Sequence, residues 1–152
     1  MKTFLLEIYT PYGKYLDAFV EEIVVPTEEY VLGILANHSP LVAKVRTGKL
    51  EIKKDGDKAI YAITEGLINV KKDGVTILVN TIERKDEIDI DRAKEAKRRA
   101  EERLKEPLNI DVERAQRALI RANNRIEIYE DNYRRKSYAF MARRQTQQNS
   151  SR

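Results

Sequence analysis

All six glycines and three of the four prolines of this 152-residue chain fall before Ile88. Beyond that point only Pro107 interrupts residues 89–152, so the second part can run as helix, whereas turn formers cut the first into short pieces. A chain divided in this way folds as two unlike parts. At this length each part is marginal in the core it can bury by itself, which makes a partner relevant to stability.

From Phe4 to Thr81, short runs rich in Val, Ile, Leu and Tyr recur at intervals of roughly ten residues, the spacing of sandwiches and barrels. The candidate strands are Thr3 to Thr10, Leu16 to Val25, Leu41 to Arg46, Lys49 to Lys54, Lys58 to Thr64, Leu67 to Lys71 and Thr76 to Ile82. Lys54-Asp55-Gly56-Asp57 and Lys72-Asp73-Gly74 each carry the Asp-Gly pair that takes a positive φ readily in tight hairpins. These runs predict an all-β domain.

After Ile88 the period becomes helical. Asp89 or Asp91 can accept a free amide hydrogen and oppose the helix dipole, which predicts a first helix ending near Glu106, and Asp111 can cap a second in the same way. In the second helix Ala115, Leu119, Ala122, Ile126, Tyr129 and Tyr133 form a seam one helix wide. Ala93, Ala96, Ala100 and Leu104 supply a facing stripe of mostly small side chains, which allows close approach but buries little area. At roughly 25 cal/mol per Å² such a seam contributes only a few kcal/mol before entropy is subtracted, so the hairpin is expected to open or extend toward a better surface. From Arg143 the polar stretch RRQTQQNSSR reads as disordered.

Charge and composition narrow the chemistry. The absence of cysteine removes disulfides, thiolate metal sites and a thiol nucleophile, and a single histidine, His38, argues against zinc and Ser-His schemes. No apolar run approaches the roughly 20 residues needed to span a bilayer, and Glu7 breaks the short apolar start, which points to a cytosolic chain. Residues 1–88 carry 12 basic and 14 acidic side chains, but residues 89–152 carry 17 and 11. The positive charge of the second part suits an acidic protein, a nucleotide phosphate or a nucleic acid.

Pro26, Gly33, Ile34, Leu35, Asn37, His38, Pro40, Leu41 and Gly48, followed by Glu65-Gly66 and by IDIDRA from Ile88 to Ala93, stand in the order of a known signature. Through them the chain resembles the epsilon-subunit family of bacterial F-type ATP synthases over about residues 1–140. The resemblance implies a mainly β plus α chain, a flattened ten-stranded β-sandwich (residues 1–86) followed by an antiparallel two-helix hairpin (87–140), and the polar tail (141–152) extends past the family's usual end. It also implies a non-catalytic central-stalk subunit of a proton- or sodium-translocating synthase, peripheral on the cytoplasmic side of the bacterial membrane and touching the membrane only through the complex. The sandwich would bind the γ subunit and the c ring, and the helices would inhibit ATP hydrolysis against the α and β subunits. Tyr30 stands where the family usually has glycine, which leaves the geometry of that turn open.

Several residues admit more than one role. His38 would be a proton carrier or ligand, or would fix its loop by a hydrogen bond; the resemblance adds Leu32, His38 and Ser39 as contacts to the c ring. No cofactor is implied as required. The family's ATP-binding members suggest ATP as a regulatory ligand, held by Arg92, Arg99, Arg121 and Arg125 on its phosphates with Glu83 or Asp89 at the adenine amino group. The bland alternative is that these arginines are solvated and laced to Glu95, Glu102 and Glu127. No glycine-rich phosphate cradle accompanies them, so the site would sense and not hydrolyse. Arg114, Arg117, Arg121, Arg125, Arg134, Arg135 and Lys136 would dock on an acidic partner. A competing reading makes the chain an independent basic module for nucleic acid or an acidic protein, with Tyr129, Tyr133 and Tyr138 interleaved. The seam position of those tyrosines favours packing and speaks against nucleic acid.

Overall fold

The computed structural model describes residues 2–130. Ten strands form two five-stranded sheets, followed by two helices. β2 (Gly13–Val20), β1 (Phe4–Thr10), β9 (Gly74–Val79), β8 (Gly66–Lys71) and β5 (Leu41–Val45) make the first sheet, in that order. β10 (Ile82–Arg84), β7 (Asp57–Ile63), β6 (Gly48–Lys54), β3 (Glu22–Pro26) and β4 (Val31–Leu35) make the second. β1 and β9 pair in parallel, and the other strand pairs are antiparallel. Alternation along the strands turns Leu6, Ile8, Ile23, Leu50, Ile68 and Ile77 inward, where all six lose every contact with water.

Two expected strands are each cut in two. The run Leu16 to Val25 bends at Glu21, leaving β2 in one sheet and β3 in the other. Thr76 to Ile82 likewise breaks at Asn80 and Thr81, with β9 and β10 on opposite sheets. The alternation of inward apolar residues continues on both sides of each crossing, so the hydrophobic pattern does not register it. β4 lay outside the candidate strands. The hairpin at Asp55 and Gly56 has the expected positive φ, 52° and 80°. Gly74 does not: it opens β9, and a Cβ there would come within 2.8 Å of the Leu5 carbonyl oxygen, so close strand approach is what selects glycine. Tyr30 fits its turn without a positive φ, its amide donating to the Thr27 hydroxyl at 3.2 Å.

A short 3₁₀ turn at Lys85–Glu87 leads into α1 (Ile90–Lys105), and α2 (Val112–Tyr129) returns antiparallel to it. Asp89 and Asp111 cap them by accepting from the Arg92 and Arg114 amides at 3.1 and 3.2 Å. Ala93 and Ala100 face Ala115 and Ala122, all buried, and Lys94 reaches Glu130 across the open end at 3.9 Å. The seam of α2 is wider than expected because the helix has two partners. Besides α1 it packs on the outer face of the second sheet, where Ile128 joins Ala62, Ile88 and Ile60. Tyr129 is 44% exposed and off the seam. Tyr133, Tyr138, Lys136 and the expected disorder of the tail lie outside the described residues. Neither described helix is long and apolar enough to cross a membrane.

Candidate functional site

Where the hairpin meets the sandwich it leaves a cleft of about 410 Å³. Ala62 to Thr64 of β7 and its turn, with Thr81 to Glu83 entering β10, form one wall. Arg92 and Ala96 of α1, with Ala118, Arg121, Ala122, Asn124 and Arg125 of α2, form the other. Small alanines let the helices sit close together, and the arginine side chains occupy the space they leave.

Two polar ties hold α2 on the sandwich in a specific place. Asn124, 8% exposed, donates from Nδ2 to the Gly48 carbonyl oxygen at 3.0 Å. The next residue, Arg125, donates from Nε and Nη2 to the two carboxylate oxygens of Glu83, the second at 3.2 Å. Both side chains of this fork are roughly three-quarters shielded, at 26% and 28% exposed, so water screens the pair only in part. Thr64 and Thr81 join β7 to the start of β10 through hydroxyls 3.0 Å apart.

Arg92 and Arg121 also line the cleft, and among the described residues neither makes an ion pair within 4.0 Å with a carboxylate. Arg121 acts at longer range on Glu65. That carboxyl is held below its ordinary range first by its own backbone amide, then by the Thr47 hydroxyl at 3.0 Å and by Arg121, with burial opposing. Two guanidinium groups directed into a partly desolvated cleft attract an anion with several acceptor oxygens.

Of the six residues expected to hold ATP, Glu83, Arg92, Arg121 and Arg125 share this cleft. Asp89 and Arg99 stand outside it. Asp89 spends its carboxylate on the α1 cap, and Arg99, seven residues and about 10 Å along the helix from Arg92, lies two turns beyond. There Arg99 meets Glu95 at 3.4 Å, and Arg98 bridges Glu95 and Glu102 at 2.5 and 2.6 Å. The Arg98 hydrogen bonds, seconded by Arg99, pull the Glu95 carboxyl from 4.5 down to about 2. A depressed carboxyl stabilises the helix above its unfolded pKa, and the contribution is lost as pH falls from about 4.5 toward 2. Side-chain carbon NMR is expected to show Glu95 titrating near 2, returning toward 4.5 in Arg98→Ala; an unchanged titration in that variant would assign the shift elsewhere.

Other expected residues scatter. Leu32 is 8% exposed and belongs to the sandwich core, while its neighbours Val31 and Leu35 face outward at 56% and 61%. Strand alternation decides this, because the inward position of β4 falls on the even residues. A surface contact on β4 therefore falls to Val31 and Leu35 and not to Leu32. His38 donates from Nδ1 to the Ser39 carbonyl oxygen at 2.7 Å and so shapes its own loop, and Ser39 is exposed. Arg114 and Arg117 lie on the outer surface, with Arg117 3.8 Å from Glu113. Arg121 and Arg125 turn inward, so α2 does not present one continuous basic face. Arg134 and Arg135 lie outside the described residues. Asn124, Thr64, Thr81 and Ile128 were not anticipated. A polar residue interrupting an apolar helix face was the one available signal for Asn124. Among the described residues no group of three or more acidic or histidine side chains is placed to hold a metal.

Comparison with known proteins matches residues 3–85 to the family model "ATP synthase, Delta/Epsilon chain, beta-sandwich domain" and residues 86–130 to "ATP synthase, Delta/Epsilon chain, long alpha-helix domain". The chain is 44% identical over 128 residues to the ATP synthase epsilon chain of Bacillus pumilus, covering 84% of this chain and 98% of that one. It is 48% identical over 106 residues to the ATP synthase epsilon chain of Caldanaerobacter subterraneus, covering 69% and 77%. Among solved structures, a chain of the Euglena gracilis mitochondrial ATP synthase, in its OSCP/F1/c-ring assembly, superimposes with a TM-score of 0.73 at 24% identity, over 80% of this chain and 78% of that one. At that identity the likeness is one of fold.

Proposed function

This chain belongs to the ATP synthase epsilon-chain family, and from that footing we propose that its sandwich ties the γ subunit to the ring of c subunits while its helical hairpin restrains ATP hydrolysis. In this reading it is a non-catalytic part of the rotor, held at the cytoplasmic face of the membrane only through the complex. The hairpin is closed when docked on its own sandwich and inhibitory when extended toward the α and β subunits. Arg114 and Arg117 are exposed already in the docked form, whereas Arg121 and Arg125 become available to acidic surfaces of those subunits only after α2 leaves the sandwich.

The observation that carries this reading is the cleft itself. Arg92 on α1 and Arg121 on α2 face it without ion-paired carboxylates among the described residues, opposite β10, so a polyphosphate held there would join both helices to the sandwich. A ligand that binds only the docked form stabilises it by mass action, by about 2.7 kcal/mol at a hundredfold excess over Kd. ATP would then act as the closing ligand and its depletion as the signal to extend.

Calorimetry of ATP against the isolated chain, with Arg92→Ala and Arg121→Ala alongside, tests this. Each arginine contact with phosphate is worth about 1.5–3 kcal/mol, so each variant is expected to weaken binding by tenfold or more. Binding that survives both substitutions unchanged would move the nucleotide elsewhere, and no binding would confine regulation to charge docking and rotor position.

A further inference from the structure

Three arginines reach the cleft, but one of them is already occupied. Arg125 is held by both carboxylate oxygens of Glu83, in the same two-pronged geometry with which a guanidinium holds a phosphate. Glu83 comes from β10 and Arg125 from α2, so without any ligand the fork already ties the hairpin to the sandwich. Among the described residues Arg92 and Arg121 have no such tie.

Resting on the reading of this cleft as an ATP site, we infer that Glu83 is a built-in competitor of the polyphosphate: a carboxylate that stands in for phosphate at Arg125 and must be displaced when the ligand's phosphates take that guanidinium. The exchange has two consequences. The fork contributes to the docked form in the empty state too, so depletion of the ligand removes only the ligand's share of the hold. Ligand binding then adds its full strength only at Arg92 and Arg121, and at Arg125 contributes only the difference between phosphate and carboxylate. Displaced, Glu83 also places a negative charge beside the bound phosphates, which lowers affinity further. Affinity is in this way set low enough for the site to respond to changes in a concentrated metabolite.

The test uses inorganic triphosphate as the probe, since it carries the phosphate chemistry without a base, and ATP with the unaltered chain as the measure of the underlying reading. Calorimetry on the full chain is compared for the wild type, Glu83→Gln, Arg125→Ala and the double variant. The amide of Glu83→Gln keeps the shape and one acceptor for Arg125 but loses the charge. Because the chain has no native cysteine, labels on Lys72→Cys and Gln116→Cys report the docked fraction in every titration, so that affinities refer to the docked form. Glu83→Gln is expected to bind triphosphate about tenfold more tightly than wild type, and to gain little in the Arg125→Ala background. Equal affinities for wild type and Glu83→Gln, or an equal gain with and without Arg125, would overturn the competition while leaving the ATP reading intact. Failure of both ATP and triphosphate to bind any form would remove the ATP reading and this inference with it.

Discussion

Ile128→Ala is expected to release the hairpin from the sandwich while leaving the sandwich folded. Ile128 is 2% exposed and packs with Ala62, Ile88 and Ile60, the main apolar contact of α2 outside the alanine seam. Truncating a buried isoleucine costs about 2–5 kcal/mol, and a loss near 3 kcal/mol shifts a docking equilibrium by roughly a hundredfold. Other ties include one buried amide hydrogen bond from Asn124 and the Arg125 fork, each worth about 1–3 kcal/mol. Amide exchange in α2 is expected to accelerate by about that hundredfold while β1, β8 and β9 keep their protection. On the function proposed above, the same change deepens the restraint on ATP hydrolysis in the assembled enzyme, because the extended form gains population. Equal loss of protection in α2 and in the core strands would show that hairpin and sandwich unfold as one unit and would exclude an independent switch.

Gly66→Ala attacks the other part of the molecule. Gly66 begins β8 opposite Val79, and a Cβ built there would lie 1.7 Å from the Leu78 carbonyl oxygen and 2.9 Å from the Val79 Cα. Those atoms are main chain in the middle of a sheet and cannot step aside without breaking the β8–β9 ladder. A loss of about 3 kcal/mol or more is expected, since over-packing a well-ordered core costs up to that amount even where side chains can adjust. For a domain of this size that corresponds to a drop in Tm of roughly 15 °C, to be read by thermal unfolding followed in the β signal. A variant that melts within a few degrees of wild type would mean that the two strands separate locally at little cost. Unlike Ile128→Ala, this change should not shift the docked fraction at temperatures where the sandwich is intact.

Much of the fold was legible because its determinants are local. The switch of period after Ile88, the Asp89 and Asp111 caps and the Asp55-Gly56 hairpin all depend on residues within a few positions of one another. Where a run of apolar residues passed from one sheet to the other, at Glu21 and at Asn80-Thr81, the local pattern stayed the same on both sides and the boundary was lost. The candidate site was legible to a smaller extent. Arginines at helical spacing marked both helices, but spacing ranked Arg99 with Arg92, although two further turns carry Arg99 past the cleft to Glu95. The same limit hid Leu32, whose inward orientation follows from the register of β4 against β3.

What the sequence alone determined was the division into a β part and a helical part, the starts of both helices and the end of the first, the alanine seam and the excess of positive charge on the second part. Each follows from propensity, period or counting, which act over one or two turns of chain. Tertiary structure decided which side chains meet. Arg125 finds Glu83 across 42 positions and Asn124 finds Gly48 across 76, while Arg92 and Arg121 are brought to one cleft with no carboxylate among the described residues bonded to them. The physical reason is that an ion pair or a buried hydrogen bond depends on distances of a few ångströms and on exclusion of water, and only the packing of α2 on the sheet sets either of these.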